Sequence, residues 1–251
     1  MAQQLIQKYY FNVPATTGTQ TDSYNFKSDE LYNFLTGIAC PLATNLPATF
    51  DGIEIELRDD FKSILSFSPL QNWTKETQIP AFDLTEIYTP LNVESKGKNF
   101  YLNVKVTNSS AAFAFVALFR QTMEAADIKI FGNKVEAYDM QSFTIKAADL
   151  GANYEVNLPS DYNNVAGVNF IGGDATNFYN VALDINDSLR ELLDPVPVTI
   201  LHASASRPND RNFYPLSFPS NNKQINVRLT PLIPGVSWTP SDFTVTFILT
   251  R

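Results

Sequence analysis

The sequence predicts an all-β protein made of two β-sandwiches in tandem, and three observations lead to this prediction. Apolar and polar residues alternate with period two in many short segments, which is the pattern of half-buried strands. Turn-forming pairs stand between these segments, among them Asp51-Gly52, Gly132-Asn133 and Pro234-Gly235. Similar short motifs then recur in the same order in the two halves of the chain.

The alternation predicts the individual strands. In residues 53–57 the two acids, Glu54 and Glu56, lie on one face, and residues 100–106 alternate in the same way. Residues 112–119 are entirely apolar and are predicted to form a buried strand. The remaining predicted strands are 143–145, 165–171, 225–229 and 243–249.

A few short helices are expected to decorate the strands. The best candidate is residues 28–37, with Ser28 as the N-cap, acids in the first turn and Gly37 at the end. Its apolar face would consist of Leu31, Phe34 and Leu35.

Two further helical segments are predicted with shorter signals. One runs from about Asp187 to Leu193 and is stopped by Asp194-Pro195. The other is a single turn capped by Asp59 or Asp60. The apolar residues of that turn are Phe61, Ile64 and Leu65.

Five motif pairs in one order indicate a duplication. The pairs are residues 11–14 with 156–159, 52–55 with 167–170, 88–91 with 213–216, 103–107 with 226–230, and 116–120 with 247–251. Their separations range from 115 residues between Gly52 and Gly167 to 145 residues between Pro14 and Pro159. Loops of unequal length explain this drift.

The pairs place one copy at about residues 8–120 and the other at about 128–251, which predicts domains 1–122 and 123–251. The link, residues 121–127, lacks the Gly, Ser and Pro of a flexible linker, so we expect a short connection, with helix as one option for it, that holds the units rigidly side by side. Each copy has room for about eight short strands, the size of one jelly roll. The predicted fold is therefore all-β, with two tandem eight-stranded jelly-roll sandwiches.

Composition argues against several functions and compartments. The net charge of −8 and the absence of a lysine/arginine run disfavour sequence-specific binding of nucleic acid. The first eight residues contain no apolar h-region, so no signal peptide is expected, and no apolar run is long enough to span a bilayer. A single cysteine, Cys40, excludes an internal disulfide. Together these features predict a protein that folds in a cytosol.

This tandem organisation resembles the double jelly-roll major capsid proteins of tailless icosahedral phages with an internal membrane and of adenovirus-like viruses. The resemblance covers nearly the whole chain and rests on architecture. It implies a homotrimer of six jelly rolls that tiles an icosahedral virion shell, with neighbouring capsomers, minor capsid proteins and an underlying viral membrane as partners. It also implies that the protein has no enzymatic role. The connecting loops of this sequence are short, so large surface towers are not expected.

The acids of residues 51–56 form the sharpest candidate for catalysis. They resemble the strand motif of jelly-roll β-glucanases, in which three carboxylates at alternate positions point into one cleft. Gly52 occupies the first of the three positions, so Glu54 and Glu56 are interpreted as the solvated face of a strand. No catalytic, cofactor-binding or metal-binding residue is therefore predicted.

The remaining chemical candidates have structural interpretations. His202 is the only histidine, without a Gly-x-Ser-x-Gly elbow to accompany it, and Cys40 is expected to fill a small apolar space. Asp59-Asp60 and the pair Asp184/Asp187 could contribute to a structural calcium site, but helix capping explains Asp60 and Asp187 equally well. Residues 172–174 lack the lysine of a phosphate loop.

Two alternatives to a major capsid protein remain open. A carbohydrate-binding or adhesive sandwich tandem would present an exposed aromatic platform, and the chain has only Trp73 and Trp238 as tryptophans. A minor vertex or spike protein of a capsid is the second alternative. The glycosylation-like triplets at Asn72, Asn108 and Asn186 are interpreted as chance matches.

Overall fold

The chain is almost entirely strand wherever its structure is described. The computed structural model describes residues 4–40, 53–73, 88–107, 112–146, 149, 151–172, 181–201, 213–232 and 242–251. These ranges contain a 3-10 turn (Leu70–Asn72) and a one-turn helix α1 (Val198–Leu201) besides the strands. Among the same residues, none of the helices has the length and apolarity needed to cross a bilayer.

The first eight strands form two four-stranded antiparallel sheets. They are β1 (Gln4–Val13), β2 (Thr19–Lys27), β3 (Phe34–Ala39), β4 (Ile53–Asp59), β5 (Ser63–Pro69), β6 (Thr89–Glu94), β7 (Asn99–Thr107) and β8 (Phe113–Thr122). One sheet has the order β1-β8-β3-β6 and the other β2-β7-β4-β5. The next element is a short hairpin, formed by β9 (Ile128–Ile130) and β10 (Asn133–Val135).

The last eight strands repeat this arrangement. They are β11 (Tyr138–Ile145), β12 (Asn153–Asn157), β13 (Asn164–Gly172), β14 (Val181–Asn186), β15 (Glu191–Pro197), β16 (Tyr214–Pro219), β17 (Gln224–Pro231) and β18 (Phe243–Thr250). Their sheets have the orders β11-β18-β13-β16 and β12-β17-β14-β15.

Counted from the first strand of each set, both sets pair as 1-8-3-6 and 2-7-4-5. This is the strand order of a jelly roll, in which two Greek keys fold into a two-sheet sandwich. The predicted tandem of two eight-stranded jelly rolls is therefore confirmed by strand pairing. We call the sheet of the first, eighth, third and sixth strands the 1-8-3-6 sheet of each unit, and the other the 2-7-4-5 sheet.

The segment that joins the two jelly rolls differs from the prediction. Gln121 and Thr122 still belong to β8, where Thr122 pairs with Gln4, and residues 123–127 are not helical. The prediction of a helical link is wrong because cross-strand pairing extends β8 to Thr122. In the described residues, the first compact unit ends at Val135 and the second begins at Glu136. The predicted division at 122/123 stays a prediction.

Aromatic rings dominate the core of the first unit. Phe26 packs on Phe119 with ring centroids 3.9 Å apart and on Phe100 at 5.4 Å, and Phe11 stacks on Phe115 at 5.0 Å. All five side chains are buried. Burial of each such ring contributes about 1.5–3 kcal/mol, so this cluster fastens the two sheets together.

Aliphatic side chains fill more of the core of the second unit. Its buried cluster includes Val165, Leu183, Val227 and Leu249 from four different strands. Aromatic rings also contribute: Phe170 lies 5.0 Å from Phe243, and Phe143 lies 5.5 Å from Phe247. Val198 and Leu201 of α1 also belong to this cluster, so the helical turn is part of the core.

The predicted helix over residues 28–37 is wrong. Residues from Phe34 onward form β3, which pairs with β6 and β8, and Ser28 donates its hydroxyl to the carbonyl of Ser95 instead of capping a helix. Leu31 points to solvent at 76% exposure. Pairing on both edges of β3 outweighs the local helical signal, which is worth only tenths of a kcal/mol per residue.

The other two predicted helical segments, the one after Asp59 and the one from Asp187 to Leu193, are also wrong, because the structure forms a turn and a strand in each place. Glu191–Pro197 is strand β15 and Ser63–Pro69 is strand β5. The aspartates do cap these segments, but each one caps the tight turn that leads into an edge strand. The local pattern thus marked both turns correctly, and it misassigned the strands that come after them.

Three of the five motif pairs join equivalent strands, and two do not. In the first pair, residues 11–13 end β1 whereas residues 156–157 end β12. In the second pair, residues 53–55 belong to β4 whereas residues 167–170 belong to β13. The first two pairings are therefore wrong by one strand. The pairing of Pro90 with Pro215 joins β6 with β16 and is correct.

The residue of the first unit that is equivalent to Gly167 is Gly37, because each of these glycines follows a β-bulge. The register of β3 shifts between Leu35 and Gly37, and that of β13 shifts between Val165 and Gly167. Both glycines lie opposite the proline of the sixth strand. An added Cβ at Gly37 would lie 2.8 Å from Cβ of Tyr88, which is too close for two carbon atoms. The Tyr88 side chain therefore requires glycine at position 37.

Candidate assembly surfaces

Two matched turns project apolar side chains from the two units. Asp59 Oδ1 accepts hydrogen bonds from the backbone N–H groups of Phe61 and Lys62, both at 2.8 Å. Asp187 Oδ1 accepts from Leu189 at 2.8 Å and from Arg190 at 2.9 Å. Both turns join the fourth strand of a unit to its fifth strand.

The apolar residue at the tip of each turn is nearly fully exposed. Phe61 and Leu189 are both 91% exposed, and each is followed by a basic residue. Residues 59–62 and 187–190 share the order aspartate, polar residue, apolar residue, basic residue. This motif pair is absent from the five pairs found in the sequence, although its spacing would have revealed it.

The environment of Asp187 is that of a turn cap with neighbouring cations. The N–H of Leu189 holds the pKa of the Asp187 carboxyl below its usual value, and the charges of Lys223 and Arg190 act in the same direction. Its Oδ2 lies 3.6 Å from Lys223 Nζ and 3.8 Å from Arg190 Nε. This carboxylate is therefore already compensated by donors from the protein.

Asp184 is also compensated by a protein cation. Its carboxylate is 1% exposed and lies on β14, where Arg228 Nε of β17 is 3.0 Å from Oδ2. Asn186 donates to the other oxygen at 3.5 Å. Among the described residues, no group of three or more acidic, histidine or cysteine side chains is arranged to hold a metal ion. The contacts of Asp184 are those of an ion pair between two strands, and the contacts of Asp187 are those of a turn cap.

Glu54 and Glu56 lie on the outer face of β4. Ile53, Ile55 and Leu57 alternate with them and are buried in the sandwich. Glu54 pairs with Lys105 across the strand, and Asn103 donates to Glu56 at 2.7 Å. The two carboxylates thus find their partners on β7, on a sheet face, and Gly52 lies outside the described residues.

Cys40 and Trp73 are interior residues. The buried thiol has a pKa raised far above its ordinary value by burial, which makes it an inert space-filling group. The Trp73 indole is fully buried and donates to Ser68 Oγ at 2.6 Å, so it is unavailable for stacking a sugar. His202, Trp238 and residues 173–174 lie outside the described part of the chain.

The exposed rings of the described residues do not form a platform. Tyr10 is 67% exposed on β1, whereas Phe61 lies at the turn between β4 and β5, which belong to the other sheet. The triplet beginning at Asn72 has a buried asparagine, and Asn186 is hydrogen-bonded on the 2-7-4-5 sheet of the second unit. Asn108 is outside the described residues.

Two tyrosines close one side of the first sandwich. Tyr24 of β2 donates its hydroxyl to the carbonyl of Asn12 on β1 at 2.8 Å, and Tyr9 of β1 donates to the carbonyl of Lys27 on β2 at 3.5 Å. Burial raises the pKa of both phenols, so they stay protonated donors. The second unit closes the same side with Gln141, which donates to the carbonyl of Asn157 at 3.1 Å.

Proline protects the opposite edges of the sheets. The edge strands β5, β6, β15 and β16 all contain proline, which cannot donate to a further strand. The edge strands β1, β2, β11 and β12 contain none. The sheets can therefore accept neighbours more easily on the side of their first and second strands.

The strand order and the matched turns define the class of this molecule as a tandem jelly-roll protein. No protein-family model matches the chain, and no curated protein sequence matches it significantly.

Solved structures show a remote likeness. The chain aligns over its full length with 94% of a chain from a quasi-atomic model of the PBCV-1 virus capsid, with 9% identity and a TM-score of 0.48. It aligns over 99% of its length with 90% of a chain from the structure of Sulfolobus Turreted Icosahedral Virus, with 10% identity and a TM-score of 0.47. A CUB1-EGF-CUB2 domain structure of human MASP-1/3 aligns at 8% identity with a TM-score of 0.26. Because these values are low, the jelly-roll assignment stands on the strand pairing of this chain alone.

Proposed function

We propose that this protein is a structural subunit of a virion shell, a major capsid protein that assembles as a homotrimer. The observation that carries the proposal is the presence of two complete jelly rolls with identical strand order in one chain. A threefold ring of such chains contains six similar bodies, so it can make six similar lateral contacts. The proposed domains are residues 1–122 for the first jelly roll and 123–251 for the second.

The surface chemistry supports an assembly role. Two acids on the described sheet faces, Glu54 and Asp184, are paired with Lys105 and Arg228, and the interior groups Cys40 and Trp73 are packed in the core. In each unit the edge strands without proline are the first and second strands, and the two most exposed large apolar side chains of the described residues, Phe61 and Leu189, occupy equivalent turns. These repeated features favour contacts with other protein subunits over a single small-molecule site.

The proposal extends to a shell that encloses a viral genome, with neighbouring capsomers, minor capsid proteins and an underlying membrane as partners. The resemblance to double jelly-roll capsid proteins suggests these partners, and the strand order supplies the fold that such a shell needs. The protein would be assembled in the host cytoplasm and reside in the virion.

Native mass spectrometry and electron microscopy of the purified full chain test this proposal. The expected result is a species of three times the 28.1 kDa chain mass that forms hexagonal arrays or closed particles when concentrated. A chain that stays monomeric at high concentration and never forms arrays would contradict the proposal. A stable trimer that forms no arrays would instead favour a minor vertex or spike protein.

A further inference from the structure

The three most exposed large apolar side chains of the described residues share one kind of turn. Phe61 and Leu189, each 91% exposed, stand at the tips of the matched turns, and Leu31 is 76% exposed. Each of these residues lies two positions after an aspartate whose Oδ1 accepts its backbone N–H at 2.8 Å. A single apolar residue on a surface needs no special explanation, but the same fixed presentation at three places calls for one.

Leu31 and Phe61 project from the same end of the first jelly roll. Leu31 lies in the loop between β2 and β3, and Phe61 lies in the turn between β4 and β5. Lys27 and Asp59, the last residues of β2 and β4, pair with the first two residues of β7. The two connections therefore leave the 2-7-4-5 sheet at the same end.

The turn between β6 and β7 also belongs to this end. The N–H of Gly97 in this turn donates to the carbonyl of Asp29 at 3.3 Å, and the N–H of Ser28 donates to the carbonyl of Lys98 at 3.0 Å. These bonds hold the turn against the loop that carries Leu31. We give the name turn end of the first unit to residues 27–33, 58–62 and 94–98.

The turn end is electrically balanced, whereas the chain as a whole is acidic. Its five cations match its five acids, so the net charge of −8 resides in the rest of the chain. Its carboxylates are also engaged: Asp60 accepts from the hydroxyl of Tyr101 at 2.8 Å, and Glu30 accepts from Lys27 at 2.9 Å. A neutral surface can approach a phospholipid headgroup layer, while an acidic surface is repelled by anionic lipids.

A lipid bilayer suits these features better than a protein partner does. A stable protein contact buries a contiguous patch of about 800 Å² on each partner, whereas Leu31 and Phe61 are single side chains on separate connections. A bilayer closes around each apolar side chain while polar neighbours stay at the level of the headgroups. Lys62, directly after Phe61, has the long apolar stem that allows its ammonium group to reach those headgroups.

We infer that the turn end of the first unit contacts a phospholipid bilayer, into which Leu31 and Phe61 insert. The inference rests on the proposed function, because a virion shell with an underlying membrane offers such a surface to each subunit. An assembled shell presents many copies of the turn end, so weak insertion by each copy sums to stable attachment.

Vesicle flotation of the purified full chain tests the contact. Wild type should float with vesicles of phosphatidylcholine alone and with vesicles that also contain phosphatidylglycerol, because apolar insertion does not require anionic lipid. Leu31→Ser with Phe61→Ser should lower the partition coefficient by about tenfold or more, since two large apolar side chains are removed. The matched control, Ile6→Ser with Tyr10→Ser, removes two exposed apolar side chains from β1 and should bind like wild type. Equal loss in both double variants would overturn the inference.

Fluorescence of an introduced probe tests insertion itself. Cys40 is fully buried, so an introduced surface cysteine is labelled selectively. A nitrobenzoxadiazole probe at Phe61→Cys should shift to the blue with vesicles and be quenched by lipids with brominated acyl chains. The same probe at Thr21→Cys, an exposed position on β2, should show neither change. If the chain floats while the probe at Phe61→Cys stays in water, lipid contact occurs elsewhere and the inference is wrong.

The outcomes separate this inference from the function on which it rests. A chain that forms arrays or particles but floats with neither vesicle would overturn the membrane contact and leave the capsid role intact. A chain that inserts the Phe61→Cys probe but stays monomeric would support the membrane contact and contradict the capsid role. A probe that becomes buried on self-association without lipid would show that a second copy covers the turn end, which also overturns the inference.

Discussion

Arg228 Nε lies 3.0 Å from Asp184 Oδ2, and this pair spans two central strands of the second unit. The carboxylate is 1% exposed and the guanidinium side chain is 41% exposed. A buried carboxylate depends on its partner, because water cannot replace the lost charge. The contact therefore matters for the stability of this unit.

Removal of Arg228 tests this dependence. Arg228→Gln is expected to lower the free energy of unfolding by about 2 kcal/mol, since it leaves Asp184 buried without its cation. Urea denaturation measures the change. The matched control is Lys105→Gln. Its partner Glu54 is 25% exposed, so water partly replaces the lost contact and the substitution should cost at most about 1 kcal/mol. A double variant with Asp184→Asn should recover most of the stability; if it does not, the loss has another cause.

The aspartate that caps each matched turn is expected to stabilise it through two backbone hydrogen bonds. Asp59→Ala should lower the free energy of unfolding by about 1 kcal/mol, because the N–H groups of Phe61 and Lys62 lose their acceptor. Asp59→Asn retains an acceptor oxygen and should cost less. Denaturant melts of the two variants check this order, and equal costs would show that the side-chain oxygen is not the group that stabilises the turn.

Acid should weaken the second matched turn. The folded state holds the pKa of Asp187 below its unfolded value, so its contribution is complete at neutral pH and is lost as pH falls through the lowered folded pKa. Asp187→Asn should therefore lose less stability than wild type between neutral and strongly acidic pH. Thermal melts over that pH range measure the difference. If the melting temperatures of wild type and Asp187→Asn fall in parallel as pH is lowered, the Asp187 carboxylate does not stabilise the turn.

The hydrogen bonds of Tyr9 and Tyr24 between β1 and β2 are expected to contribute unequally to the free energy of unfolding. Tyr24→Phe removes a 2.8 Å hydrogen bond to Asn12 and should cost about 1 kcal/mol. Tyr9→Phe removes a 3.5 Å contact to Lys27, which is at the limit of a hydrogen bond, and should cost less. Both variants keep the ring and its packing. Chemical denaturation measures both changes in the free energy of unfolding. A larger loss for Tyr9→Phe would contradict the assignment of Tyr24 as the stronger contact between β1 and β2.

Glu191 supplies a pH effect of the opposite sign. Burial raises the pKa of its carboxyl, and the adjacent Asp194 carboxylate raises it further. A raised folded pKa means that protonation favours the folded state, so this group stabilises the protein below its unfolded pKa and that stabilisation is lost as pH rises through the folded pKa. Asp194→Asn should increase the melting temperature at neutral pH and have little effect in acid. An equal effect at both pH values would exclude charge repulsion as the cause.

Strands were predicted well where one face is buried. Residues 53–57, 100–106 and 243–249 alternate because inward side chains must be apolar, and the structure confirms all three as strands. Residues 28–37 failed because their apolar spacing suits a helix locally. Pairing of Phe34 and Leu35 with β8, which is distant in sequence, decides their conformation.

The candidate surfaces were less accessible to sequence reasoning. The motif at Asp59 and its counterpart at Asp187 were recognised as caps, but their exposed apolar tips were assigned to helices. The tyrosine contacts between β1 and β2 depend on which strands become sheet edges, and no local pattern encodes that choice. Ile6 and Met140 occupy equivalent outward positions on β1 and β11, and the alternation of the sequence does not reveal that one is 44% exposed and the other 2%.

By itself the sequence determined that this protein is all-β, that it consists of two similar units, and that each unit holds about eight strands. These properties come from local alternation and from internal similarity, which need no knowledge of distant contacts. Only the tertiary structure decided the 1-8-3-6 and 2-7-4-5 pairing, the register of the strands, and the exposure of each outward side chain. Each of these depends on which distant strands meet, and hydrogen bonding and burial between such strands are fixed only when the whole chain folds.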